Sequence, residues 1–227
     1  MKIAVFGTGS VGQALANRLA GLAHNVTMGT RNVANSLAKD TKDSYGTPTV
    51  SEFLQANPTI SLQTYADAAL GADVIVLGTK GDGAQAALAS AGNIEGKIVL
   101  DITNPLDFSK GFPPTLFLSN DTSLGEVLQA AFPKTHIIKS LNTMYSGLMV
   151  NPRALGEDST VFVSGNEVTA KAAIVGILKE FGWKDTEILD LGDITTARGT
   201  EGILPVWLRI FGATNNGFFN FKVATGK

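Results

Sequence analysis

Three glycines near the start of the chain, in Gly7-Thr8-Gly9-Ser10-Val11-Gly12, stand at a spacing with chemical meaning. The pattern GxGxxG follows an apolar run and opens a helical one, the context in which it works mechanically. Gly7 permits a tight turn, Gly9 lets a pyrophosphate approach the backbone, and Gly12 lets strand and helix pack closely. Free N–H groups and the positive helix end would receive the phosphates. About twenty residues on, a dinucleotide fold usually carries an acid for the adenosine ribose. Here the sequence reads Gly29-Thr30-Arg31-Asn32, with no acid. An acid would repel a 2′-phosphate, whereas a hydroxyl, an amide and a guanidinium that binds phosphate oxygens in pairs would hold one. These residues therefore favour NADP(H) over NAD(H), the alternative for Arg31 being an ordinary surface arginine.

Further strand ends converge on the same crevice. They offer Thr79, Lys80 and Gly81, then Thr103, Asn104 and Pro105, then Asn142, Thr143 and Met144. Asp101 reads more simply as a structural or capping carboxylate, and Asn104-Pro105 also reads as a turn. Lys80 is the single acid–base candidate, with a surface or phosphate-binding lysine as its other reading. His24 falls between the first helix and the second strand, and His136 opens a strand at the end away from the crevice. A hydroxyl- and amide-lined site without an acid–base pair suits hydride transfer between a nicotinamide and a flavin-like ring, which needs mainly proximity and stacking.

The elements that must position these residues alternate. Strands are expected at 2–7, 25–29, 60–63, 73–79, 96–103, 135–142, 159–165 and 186–193. Helical patterns lie at 10–24, 32–40, 50–56, 65–72, 83–92, 124–132 and 168–182. Such alternation implies βαβ units, so the expected fold is α/β, a Rossmann-type doubly wound parallel sheet. Residues 1–150 read as the NADP-binding domain, and 151–227 as an extension of the sheet with a small helical cap. A helix over 199–212 would set Leu204, Trp207, Leu208 and Phe211 on one face, beginning or kinking at Pro205. With Phe218, Phe219 and Phe221 beyond it, the tail from Thr195 to Lys227 must pack on the core or on a second subunit. A homodimer is the expectation.

Composition bounds the chemistry. With 227 residues, 44% hydrophobic and 17% charged, the chain is an ordinary globular one. A net charge of −2 and a pI near 5.7 give no basic footprint for nucleic acid. No cysteine and two histidines leave no thiolate or multi-histidine metal site. The N-terminal apolar run is too short for a signal peptide, and no stretch is long enough for a membrane span. A cytoplasmic protein without membrane or nucleic-acid partners is expected.

Over nearly its whole length the sequence resembles the NADP-dependent oxidoreductases typified by coenzyme F420-dependent NADP reductase. The resemblance rests on KIAVFGTGSVGQALANRLA, GTRN, ADVIVLGT, KIVLDITNPL, IIKSLNT, VFVSGN and, most specifically, the closing TEGILPVWLRIFG. The cytosolic domains of six-transmembrane metalloreductases are also similar, sharing the SLNT type of strand end. The resemblance implies a Rossmann domain, a small C-terminal helical domain and a cleft between them for a second carrier. It places Thr8, Ser10 and Val11 at the pyrophosphate and Thr30, Arg31 and Asn32 at the 2′-phosphate. Thr79 and Lys80 fall beside the nicotinamide ribose or ring, and Asn104, Asn142 and Ser146 border the hydride-transfer site. The chain departs from the F420 reductases at Lys80-Gly81, where they tend to have a proline and a bulky residue, and at Asn142, where they have a histidine. The second carrier is thus F420, FMN or FAD. The alternatives are reduction of a small carbonyl or imine, with Lys80 as acid, and a non-catalytic NADP(H)-sensing module.

Overall fold

A computed structural model describes residues 1–43 and 46–226, so Lys227, the end of the expected tail, lies outside the described residues. β1 (Lys2–Phe6), α1 (Ser10–Gly21) and β2 (Asn25–Thr30) form the first βαβ unit. α2 (Val33–Ala38), α3 (Val50–Ala56), β3 (Ser61–Thr64), α4 (Tyr65–Leu70), β4 (Val74–Leu77), α5 (Ala84–Ala89) and β5 (Ile98–Asp101) continue it. A two-residue hairpin, β6 (Leu106–Asp107) and β7 (Thr115–Leu116), precedes α6 (Leu124–Ala131) and β8 (His136–Ser140). Then come α7 (Ser146–Val150), β9 (Val161–Gly165), α8 (Val168–Phe181), β10 (Ile188–Gly192), α9 (Ala197–Gly202) and α10 (Leu204–Thr214).

The main sheet runs β10-β9-β8-β5-β4-β1-β2-β3. All its neighbours are parallel except β8 and β9. The chain winds outward from β1 to β3, then returns and winds the other way from β4. The order reverses between β1 and β4, and a crevice opens there at the carboxyl ends of the strands.

Both faces of the sheet's centre are covered, so β4 and most of β1 and β5 are apolar and buried, whereas the edge strands β3 and β10 are partly exposed. The pleat sends alternate residues to opposite sides. Ile3, Val5, Val74, Val76, Leu100 and Ile138 meet α1, α7 and α8 through Leu15, Leu19, Met149, Ile174 and Phe181. Ala4, Phe6, Ile75, Leu77, Val99 and Ile137 meet α4, α5 and α6 through Ala68, Leu88 and Leu128. Leu15 and Leu19, one turn apart on α1, are fully buried. Ser123 and Thr49 cap α6 and α3 from their own side chains, which fixes where those helices start.

The expected single helix over 199–212 is two. α9 ends at Gly202, and α10 starts with Pro205 in its first turn, where proline's missing N–H costs nothing. Leu204 and Leu208 are buried, while Trp207 stacks on Phe211 at 5.7 Å and on Phe219 at 5.1 Å. Residues 215–226 carry no regular structure and fold back along the start of β9. There the Thr160 amide donates to Phe221 O at 2.8 Å, and Asn220 Nδ2 donates to Ser159 Oγ at 3.0 Å. The hairpin β6–β7 has no counterpart in the sequence reading, because two-residue strands leave no alternation to see.

Backbone contact at the switch point is as tight as glycine allows. A Cβ on Gly12 would lie 2.0 Å from Gly7 O, and one on Gly7, at φ +119°, would lie 2.5 Å from Gly78 O. A Cβ on Gly9 would meet nothing within 4 Å. Gly12→Ala is therefore expected to destabilise the protein by about 1–3 kcal/mol through overpacking. Gly9→Ala should melt within a degree or two of the parent, since surface changes usually stay within about 0.5 kcal/mol. Paired thermal melts check this.

Candidate functional site

The Gly7–Gly12 turn joins β1 to α1, and the first-turn amides of α1 face the open space beside Gly9. Gln13, buried on α1, braces the turn by donating to Thr8 O at 3.0 Å and to Pro48 O at 2.9 Å. At the end of neighbouring β2 stand Thr30, Arg31 and Asn32. The Thr30 hydroxyl bonds Ser36 Oγ at 2.7 Å, and Asn32 Oδ1 accepts from the Asn35 amide at 2.9 Å, capping α2. Two of the three groups are thus partly engaged locally, while the exposed Arg31 guanidinium projects beside the Tyr65 hydroxyl. Burial raises the Tyr65 hydroxyl above its ordinary range, and the Arg31 charge opposes that rise.

A cleft of about 560 Å³ lies over the carboxyl ends of β4, β5 and β8. Val11, Thr79, Lys80, Asn104 and Asn142 line it, so residues from four chain segments meet there. Met144, Met149, Leu204 and Trp207 also line it, as do Leu106, Phe108 and Phe117 of the hairpin segment. Pro105 and Ser146 are buried close by, at the hairpin's entry and on the first turn of α7, and neither is among the lining residues. The Thr79 hydroxyl and the Trp207 indole nitrogen are buried without a hydrogen-bond partner among the described residues. Each such atom needs a partner that the described residues do not supply. Together with the open space at Gly9, they fit a dinucleotide laid from the glycine turn into the cleft.

Asn104 and Asn142 hold each other. Asn104 Nδ2 donates to Asn142 O at 2.8 Å, and Asn142 Nδ2 donates to Asn104 Oδ1 at 2.9 Å and to Thr200 O at 3.1 Å. The turn that aims Asn142 passes through Leu141 at φ +62°, a left-handed conformation that disfavours a leucine by about 1–2 kcal/mol. No residue type in that stretch signals such a turn. Backbone strain of this kind concentrates where a side chain must be aimed.

Next to this pair lies a charged cluster of which the sequence reading singled out only Asp101. Lys139 is fully buried, and its Nζ meets Asp101 Oδ2 at 2.7 Å, Glu201 Oε1 at 2.8 Å and Thr103 O at 2.8 Å. Asp101 Oδ1 accepts from the Thr103 amide and hydroxyl at 2.9 and 2.6 Å. Glu201 accepts from the Leu124 and Gly125 amides at 2.7 and 3.0 Å, at the head of α6. Asp101 is therefore a structural carboxylate, the simpler of its two readings. Burial disfavours the Lys139 ammonium, but the two carboxylates outweigh it and hold the lysine above its ordinary range. Only the apolar context of Lys139, amid Ile137 and Ile138, hinted at burial in the sequence.

A mostly parallel sheet wound on both faces, with a GxGxxG turn at its switch point, defines a Rossmann-type dinucleotide-binding fold. The family described as NADP oxidoreductase, coenzyme F420-dependent, matches residues 2–105. A candidate F420-dependent NADP-reductase from Arthrobacter sp. FB24 is 50% identical, with 99% of this chain and 100% of that chain covered and a TM-score of 0.93. The chain belongs to this family of NADP-dependent oxidoreductases. The metalloreductase STEAP3 of Rattus norvegicus is 24% identical over 212 residues, 91% of this chain but 38% of its own length. A reductive aminase from Aspergillus terreus, solved with NADPH, shares the fold at 17% identity and a TM-score of 0.62, over 93% of this chain and 62% of that one. Among the described residues no helix is long and apolar enough to cross a membrane.

Replacing Lys139 by methionine leaves two buried carboxylates facing each other, and should cost about 3–5 kcal/mol in urea unfolding. Because the folded lysine titrates above its unfolded value, its contribution is complete below the ordinary lysine range. It is lost only as pH rises through the higher folded value. The stability gap between parent and Lys139→Met should therefore stay constant across neutral pH and close only at strongly alkaline pH. Gly9→Val, by contrast, should fold like the parent while failing to bind NADPH in a fluorescence titration.

Proposed function

We propose that the protein transfers hydride between NADP(H) and a flat, flavin-like ring, either the deazaflavin F420 or FMN or FAD. In this reading the pyrophosphate lies on Gly7–Gly12, where Thr8, Ser10 and Val11 contact it. The 2′-phosphate lies at Thr30, Arg31 and Asn32, and the nicotinamide lies beside Thr79, Lys80 and Asn104. When bound, the nicotinamide supplies or accepts the hydride. The chain's own residues hold the two rings together, exclude water and orient them.

One observation carries the reading: the make-up of the cleft wall. It consists of amides, hydroxyls and apolar or aromatic faces, and its ionisable groups are Lys80, Asp82 and Asp107. The buried lysine and carboxylates behind it are fully engaged with one another and have no exposed face. A ring-to-ring hydride transfer needs proximity and stacking rather than a proton relay. Trp207, Phe108 and Phe117 provide the stacking surfaces. F420 gains support from the half-identical Arthrobacter relative, whose name gives that cofactor.

A second reading has its own observation. The Lys80 ammonium is exposed on the cleft wall with no hydrogen-bond partner among the described residues, so it is placed to protonate a carbonyl or imine. The proposal also divides the chain at about residue 150 into a cofactor-binding unit and a capping one. Ser146 and Pro105 then act by supporting the cleft from behind. A cytoplasmic homodimer belongs to the same proposal, with the exposed Phe112 and Phe218 beside the cap as its contact.

An acceptor screen tests the main reading. NADPH should be oxidised when F420, FMN or FAD is present, and not with ketones or imines alone. Turnover of carbonyl compounds without any flavin, abolished by Lys80→Ala, would transfer the assignment to the second reading. Binding without turnover of any acceptor would leave a sensing module. Arg31→Ala should weaken NADPH by about 1.5–3 kcal/mol while leaving NADH nearly unchanged, as expected for a lost charged hydrogen bond.

A further inference from the structure

The Asp101–Lys139–Glu201 cluster has more in it than a clasp. Every contact made to the two carboxylates comes from a donor. Asp101 receives the Thr103 amide and hydroxyl and the ammonium, and Glu201 receives two backbone amides and the ammonium. Among the described residues no oxygen of either faces an acceptor that would need a carboxylic proton, so both are anions beside one cation. The sum, −1 −1 +1, is one net negative charge. The positive head of α6 offsets about half a unit of it. The neighbouring Glu126 and Arg198 neutralise each other, at 2.8 and 2.6 Å.

That charge sits one residue from the cleft. Thr103 lines the cleft, and its carbonyl, amide and hydroxyl all bond the cluster. Lys139 and Asp101 side chains are wholly shielded from water and Glu201 nearly so, leaving little to screen the field. A nicotinamide ring is neutral when reduced and cationic after it has lost hydride, two electrons and a proton together. A buried negative charge behind it therefore discriminates between the two forms.

We propose that the Asp101–Lys139–Glu201 cluster stabilises the oxidised, cationic nicotinamide in the adjoining cleft and so makes bound NADPH a stronger hydride donor. The inference rests on the cofactor placement proposed above. Asp101 and Glu201 are positioning and electrostatic residues here. They touch neither substrate nor cofactor.

The test is the ratio of the dissociation constants of NADP⁺ and NADPH, titrated into the same full-length preparation by calorimetry or tryptophan fluorescence. Any unfolded fraction weakens both ligands alike and cancels in the ratio. Glu201→Gln and Asp101→Asn each remove one negative charge, and should raise the ratio by about fivefold to tenfold. Tenfold corresponds to about 30 mV in the two-electron potential of the bound couple. Ser123→Ala disturbs the same helix head without changing charge, and should leave the ratio at the parent value. An unchanged ratio in both charge variants, or an equal rise in Ser123→Ala, overturns the proposal. Should neither charge variant fold, the parent decides. It is expected to bind NADP⁺ at least as tightly as NADPH, and a tenfold preference for NADPH overturns the proposal. A parent that binds neither form, or binds NAD(H) equally well, fails the cofactor reading instead, which separates the two failures.

Discussion

Lys139 carries an ammonium that water does not reach, and the carboxyl-end architecture of the sheet is arranged around it. Removing such a charge from water costs several kcal/mol, recovered only where every proton finds an acceptor at close range. Here each does, on Asp101 of β5, on Glu201 of α9 and on the Thr103 carbonyl. Glu201 in turn holds the head of α6. An apolar side chain in place of the lysine could fill the volume, but it would not specify one angle of α9 against β5 and β8. That angle places α10, which follows after a single residue, and with it the Leu204 and Trp207 wall of the cleft.

The opposite half of the site depends on a different constraint, the approach of backbone to backbone. Gly7, Gly12 and Gly78 touch where a Cβ would collide, while Gly9 is left clear on the ligand side. This part of the site was legible in the sequence because its information is local. A six-residue motif between a strand and a helix contains both the turn and the space. The fold was legible for a related reason: short apolar strands at the centre of the sheet, alternating with helices, admit few arrangements other than a doubly wound sheet.

The rest was not legible, and the reasons are physical. Glu201 looks like a surface residue in its own segment, Lys139 carries only the hint of its apolar neighbours, and the three-dimensional meeting of β5, β8 and α9 shows both buried. The reciprocal amides of Asn104 and Asn142 depend on a left-handed Leu141, a conformation no leucine advertises. The hairpin that carries Phe108 and Phe117 is two residues per strand, below the length at which periodicity carries a signal. Thr30 and Asn32 were read as phosphate ligands by type alone, and their local bonds to Ser36 and Asn35 appear only once α2 is in place. What sequence missed is thus the long-range polar pairing behind and around the cleft.

That division of labour bears on the chemistry. Asn104 and Asn142 direct their donors to each other and to Thr200, so the polar floor of the cleft is set before any ligand arrives. A floor whose dipoles need not reorganise stabilises a changing charge better than water does, because solvent must reorient as the charge moves. Hydride transfer to or from a nicotinamide moves one unit of charge across the ring without requiring a proton from the protein. Under the proposed ring-to-ring transfer, a fixed amide floor, an aromatic wall and a shielded charge behind them answer that requirement.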